Sequence, residues 1–128
     1  MMHPKWISLP AVYAVHNSLL CEHGGSAGVR DQTLLEAAIH RPINKFHFGE
    51  TKPDMFTLAA AYCFAIIKAH AFIDGNKRTG YMIAVMFLVK NNTPHNPDLK
   101  EAFSIVLQVA DSTMSEDVLA GWFRAQAE

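Results

Sequence analysis

Apolar residues recur every three to four positions along most of this chain, and short clusters of Gly, Pro, Asn and Asp interrupt them. That spacing turns one face of a helix toward a core, so the chain reads as a succession of helices. Ser8 is placed to cap a first helix reaching about Cys21, with Pro10 tolerated in its first turn and Val12, Val15 and Leu19 on one face. The run His23-Gly24-Gly25-Ser26-Ala27-Gly28 breaks the chain. Asp31 then caps a short second helix carrying Leu34, Leu35, Ala38 and Ile39. From Pro42 to Pro53 the period is lost, which predicts a loop or a small hairpin, a flap beside the bundle. Asp54 caps a third helix, strongly apolar from Phe56 to Ala69. A fourth, from about Asn76 to Lys90, is apolar nearly all round and suits a central buried helix. Asn91-Asn92-Thr93-Pro94 ends it, Asp98 starts a fifth helix, and the segment near Ser115 starts a sixth.

The expected fold is therefore all-α, a bundle of about six helices. At 128 residues, without a repeat or an interdomain linker, residues 1–128 are expected to form one domain. Net charge is -1, so no global basic field favours direct nucleic-acid binding. Lys68, His70 and Lys90 break the longest apolar stretches, and the N-terminal stretch has no apolar run closed by small residues. Neither a membrane span nor an export signal is expected, and a cytoplasmic protein is. Cys21 and Cys63 lie far apart in apolar contexts and read as two reduced core thiols. Charged residues make up only 18% of the chain, against roughly 25% in an average domain. That deficit fits either a fully buried helix or an apolar groove that a partner covers.

The stretch between the third and fourth helices breaks this apolar pattern. His70-Ala71-Phe72-Ile73-Asp74-Gly75-Asn76-Lys77-Arg78 sets an imidazole, a carboxylate, an amide and two cations close together. Phe72 reads as a hydrophobic plug, Asp74 and Gly75 as the turn, and Asn76, Lys77 and Arg78 as the opening of the fourth helix. A helix N-terminus offers unpaired N–H groups and positive potential, and Lys77 and Arg78 add two full charges to it. A nucleotide phosphate chain fits such a site, with a Mg2+ ion reconciling the phosphates with Asp74 and His70 beside them.

These residues resemble the H-x-F-x-[D/E]-G-N-G-R signature of the Fic/Doc superfamily. Lys77, in place of the second glycine, is similar to the Doc ("death on curing") branch found in Phd/Doc-type toxin–antitoxin modules. His23-Gly24-Gly25, Gly28-Val29-Arg30-Asp31 and Leu34-Leu35-Glu36-Ala37-Ala38-Ile39 extend the likeness over nearly the whole chain. The resemblance implies a helical bundle in which His70 is the general base and Asp74 holds Mg2+. It implies that Gly75, Asn76 and the following backbone form an anion hole, and that Lys77 and Arg78 grip ATP. As a toxin of a type II module, such a protein would transfer the γ-phosphate of ATP to a hydroxyl of a protein target, elongation factor Tu. A Phd-like antitoxin would silence it by folding its C-terminal segment as a helix on the toxin.

Two departures from the Fic pattern bear on the reaction. Lys77 would obstruct the usual nucleotide pose, and Tyr81 stands where Fic enzymes carry a second arginine. Both favour γ-phosphate transfer, whereas Gly75 keeps the Fic-like small residue. The alternatives are a Fic-type AMP transferase and a non-catalytic antitoxin-binding module. No third ligand at metal spacing supports a zinc reading of His70 and Asp74. His16, His23, His40 and His47 read as structural or solvated, with His47 placed to sit in the flap. Ser112 and Glu116 match an inhibitory motif only superficially, since Thr113 and Glu116 also make a capping box.

Overall fold

The computed structural model describes residues 3–127. Six helices follow one another: α1 (Leu9–His23), α2 (Gln32–Phe48), α3 (Met55–Ala69), α4 (Asn76–Lys90), α5 (Leu99–Ala110) and α6 (Glu116–Ala125). The described residues contain no strand, only an isolated antiparallel bridge between Val29 and Phe72. Side-chain caps set five of the six starts. Ser8, Asp31, Asp54, Asp98 and Ser115 each accept a hydrogen bond from a backbone N–H in the first turn. That removes one orphan donor at each end and is worth roughly 1 kcal/mol per cap. The exception is α4, which starts at Gly75 with no side-chain cap.

The centre of the bundle is α3, not α4 as the apolar pattern of α4 suggested. α3 packs against α2, α4, α5 and α6. Ala59, Ala60, Ala61 and Ala65 let those neighbours approach, and Leu58, Tyr62, Cys63 and Ile66 are fully buried or nearly so. α4 touches α3 through Thr79, Gly80, Ile83, Ala84, Phe87 and Leu88, while Met82 and Val89 of the same helix lie exposed. An apolar helix need not be a central one when part of its apolar surface stays open. The chain entry is tied down as well: Trp6 stacks on Phe87, and the Ile7 N–H bonds to the Tyr62 hydroxyl at 3.0 Å.

Three further expectations need correction. The stretch from Pro42 to Pro53 is neither a loop nor a hairpin over its first half, because α2 runs through Pro42 to Phe48 and only residues 49–54 are non-helical. A proline inside a helix costs roughly 3 kcal/mol, so tertiary contacts must offset it. Pro42 and Phe46 are buried, continuing the spacing of Leu35, Ala38 and Ile39, and Phe46 packs edge-on against Trp6. His47 therefore lies in the last turn of α2, not in a flap. Cys21 is exposed rather than in the core, whereas Cys63 is buried; both are free thiols, and burial pushes that of Cys63 up to about 12. Lastly, Ser115 and not Thr113 caps α6, and Glu116 reaches away to Arg41 at 2.6 Å and Lys45 at 2.9 Å on α2.

Candidate active site

The turn between α3 and α4 is built on backbone contacts that few of its residues advertise. α3 ends as His70 turns left-handed, at φ 48° and ψ 46°. That conformation costs a residue with a β-carbon about 1–2 kcal/mol, so the surroundings must hold it. Ala71 and Phe72 then drop into the core with no exposed surface. Burial of an aromatic ring contributes roughly 1.5–3 kcal/mol, and the Phe72 ring also stacks on the His16 imidazole, centroids 3.7 Å apart. Asn76 closes the turn from within: its amide accepts from the Phe72 N–H and donates to the Phe72 carbonyl, both at 3.0 Å.

A strap formed by residues 25–31 lies along the outside of this turn. The Arg30 and Asp31 N–H groups both donate to the Ala71 carbonyl, at 2.6 and 3.0 Å, and the Ile73 N–H donates to Gly28 at 3.1 Å. The Arg30 guanidinium donates to the His70 carbonyl from Nε at 2.9 Å and from Nη2 at 2.5 Å. On the inner side, His16 Nε2 donates to the Asp74 carbonyl at 2.8 Å. Gly25 is where the strap comes closest: at φ 124° a β-carbon there would stand 2.9 Å from Asp74 Oδ2.

Asp74 is fully exposed and accepts one N–H on each carboxylate oxygen, Ser26 at 3.2 Å and Gly75 at 2.9 Å. The Ser26 bond, then the Gly75 bond, hold its carboxyl below the usual range, with Lys77 and Arg78 adding to the effect. Each oxygen keeps a lone pair, and an exposed, ionised oxygen donor is what Mg2+ takes from protein when phosphates complete its shell. The residue fits that role.

Gly75 turns left-handed at φ 80° and α4 begins. Among the described residues, the N–H groups of Asn76, Lys77 and Arg78 have no partner. They open, with Asp74, Gly75 and the Lys77 and Arg78 side chains, onto a cleft of about 370 Å3. Its far wall is α5, where Leu99, Phe103 and Leu107 are exposed beside Ala102 and Val106. One wall is thus cationic and the other apolar. Tyr81 also lines the cleft, but its hydroxyl is engaged with His95 Nε2 at 2.7 Å. Burial, with the Cys63 sulfur adding to it, pushes that phenol up to about 12. His95 is in turn pushed down by burial, so a neutral imidazole meets a protonated phenol there.

The structure brings Asp74, Gly75, Asn76, Lys77 and Arg78 to one cleft. His70 does not line it; the imidazole stands exposed at the other end of the turn, bracing nothing. The Asn76 amide is spent on Phe72, which leaves its backbone N–H as what it can offer an anion. Arg30 is the residue that sequence reasoning passed over, while His16, read as structural or solvated, is structural. Arg30 stood within a run quoted only for its likeness, and for His16 the structural reading came without a partner. Nothing in local spacing marks either, because their partners lie 40 and 58 positions away.

Comparison with known proteins supplies the family. The family model described as the Fic/DOC family matches residues 6–88. The chain is 34% identical to the protein kinase doc of Escherichia phage P1 over 87 residues, 68% of each chain. It is 33% identical to the toxin Doc of Mycolicibacterium smegmatis over 99 residues, 76% of each chain. With the helical bundle and matches of this extent together, the chain belongs to the Fic/Doc family, as a Doc-like member of it.

Proposed function

We propose that this protein is a toxin that transfers the γ-phosphate of ATP to a hydroxyl of a protein target, elongation factor Tu being the candidate, and so blocks translation in the cytoplasm. The observation that carries the reading is the cleft at the start of α4, where three unpaired N–H groups, Lys77 and Arg78 face Asp74. Lys77 supports γ- over α-transfer: it lines the cleft at the position where the Fic pattern has a glycine, and a long side chain there leaves less room for a phosphate against the backbone.

In this reaction the target hydroxyl gives its proton to His70 as its oxygen bonds to the γ-phosphorus. The bond from that phosphorus to the bridging oxygen breaks, and ADP leaves. His70 is suited to a macromolecular substrate because it stands exposed. The N–H groups at the start of α4, with Lys77 and Arg78, hold the terminal phosphate and stabilise the charge that develops on it. Asp74 would hold Mg2+, which neutralises phosphate charge when bound.

A partner reading goes with it. The apolar wall formed by Leu99, Phe103 and Leu107 recurs at helical spacing and is open along α5. It suits the C-terminal helix of a Phd-like antitoxin, laid into the cleft to close it. Incubation with the target and ATP labelled at the α or the γ position tests the reaction. Label arriving from the γ-phosphate alone, and lost in His70→Ala, is expected. Label from the α-phosphate would replace this reading with AMP transfer, and full toxicity of His70→Ala would leave a non-catalytic binding module.

A further inference from the structure

His70 carries a conformational burden that its own side chain does nothing to relieve. Its φ of 48° is unfavourable for a residue with a β-carbon, and its imidazole makes no hydrogen bond among the described residues. No hydrogen bond orients the ring, so the direction in which the side chain leaves the chain is set by its backbone. That backbone is gripped from one side: Arg30 Nε and Nη2 both donate to the His70 carbonyl, at 2.9 and 2.5 Å, and Nη2 also reaches the Ala69 carbonyl at 3.5 Å. The last carbonyls of a helix lack intrahelical partners and carry negative potential, so a cationic fork there gains on both counts.

The geometry points to Arg30 as a positioning residue for His70. By holding the oxygen of the peptide that follows His70, the guanidinium fixes the rotation that sets ψ of that residue. The left-handed turn is kept, and the Cα–Cβ bond that carries the imidazole is aimed in one direction at the mouth of the turn. This rests on the proposed role of His70 as the base. The strap's backbone bonds do not depend on the Arg30 side chain: the N–H groups of Arg30 and Asp31 still reach the Ala71 carbonyl, and that of Ile73 still reaches Gly28. Removing the fork should therefore loosen His70 without unfolding the turn. Lysine keeps the charge but lacks the planar pair of donors, so it cannot grip one oxygen twice.

The test compares wild type, Arg30→Ala and Arg30→Lys by γ-phosphate transfer, by thermal unfolding, and by NMR of His70, whose backbone coupling and carbon shifts report its φ. The expected result for Arg30→Ala is a kcat about 10- to 100-fold lower with KM for ATP unchanged, as misplacement of a reacting group predicts. His70 should then average between left-handed and other conformations. Arg30→Lys should recover little of the loss, and free guanidinium added to Arg30→Ala should recover part of it. Should Arg30→Ala unfold, Arg30→Lys carries the same comparison. An unchanged kcat in a folded variant, or a His70 that stays left-handed without the fork, overturns the inference. If wild type transfers no phosphate while His70 still loosens in Arg30→Ala, the base role fails and the positioning stands.

Discussion

Asn76 separates two kinds of work that one residue can do at a nucleotide site. As a ligand its loss would weaken ATP and leave the fold alone; as a clamp its loss should unfold the turn. The amide is buried, and it is the partner of both the N–H and the carbonyl of Phe72. Asn76→Ala leaves those two groups buried and unsatisfied, at about 1–3 kcal/mol each. Urea unfolding should show that loss of stability, and a midpoint equal to wild type would return Asn76 to the ligand role. Lys77 is the opposite case, exposed at the cleft with no partner to lose among the described residues. Lys77→Gly should melt no more than a few degrees lower, the cost of a glycine in the first turn of a helix, lose roughly 100-fold in γ-transfer as charge stabilisation is removed, and begin to transfer label from the α-phosphate. Wild-type γ-transfer by that variant would refute the account of the lysine. Of the site residues, the motif from His70 to Arg78 was legible because polar groups crowded into apolar sequence need a reason. Arg30 was not legible, nor was the partner of His16, since each acts on a backbone carbonyl that only folding brings near.

Between elements, closeness decides what a side chain may be. α3 and α4 cross at Gly80, where an added β-carbon would come within 2.8 Å of Ile67 and 3.1 Å of the Cys63 carbonyl. Gly121 in α6 has open space at the same atom. Alanine gains about 1 kcal/mol over glycine in a helix interior, whereas overpacking costs about 1–3 kcal/mol. Gly121→Ala should accordingly raise the stability by about 1 kcal/mol, and Gly80→Ala should lower it or at best leave it unchanged, as the overpacking cost outweighs the same gain. Differential scanning calorimetry of the two variants checks both, and a more stable Gly80→Ala would mean that the crossing is looser than drawn. α2 carries the clearest lesson at this scale. Leu35, Ala38, Ile39, Pro42 and Phe46 form one buried stripe, yet the proline within it reads as a stop. Counting Pro42 as an apolar position would have extended the helix, and only the contacts of Phe46 and Lys45 show why it holds.

For the whole molecule, the middle of the chain is tied to its last helix through charge. Asp54 caps α3 and pairs with Arg124 of α6 at 2.9 Å. Burial acts to raise its carboxyl, but the Thr57 N–H and hydroxyl and the Arg124 guanidinium together hold it below its ordinary value of 3.8. A carboxylate depressed by folding stabilises the native state above its unfolded value and loses that contribution as pH falls through the folded one. Unfolding free energy should thus fall below about pH 4, and Asp54→Asn should flatten that part of the profile; an unchanged acid slope would remove Asp54 from its cause. The partition between sequence and structure follows from range. Period and caps act within a few residues, so the sequence alone determined that the chain is helical, about where each helix begins, and that polar groups crowd into the α3–α4 turn. Which helix lies at the middle, where Glu116 points, that Cys21 is exposed, and how His70 is held depend on contacts between segments far apart in the chain. Those are decided by packing, because a carbonyl, a ring or a small side chain acquires its meaning only from the neighbour that the tertiary fold sets against it.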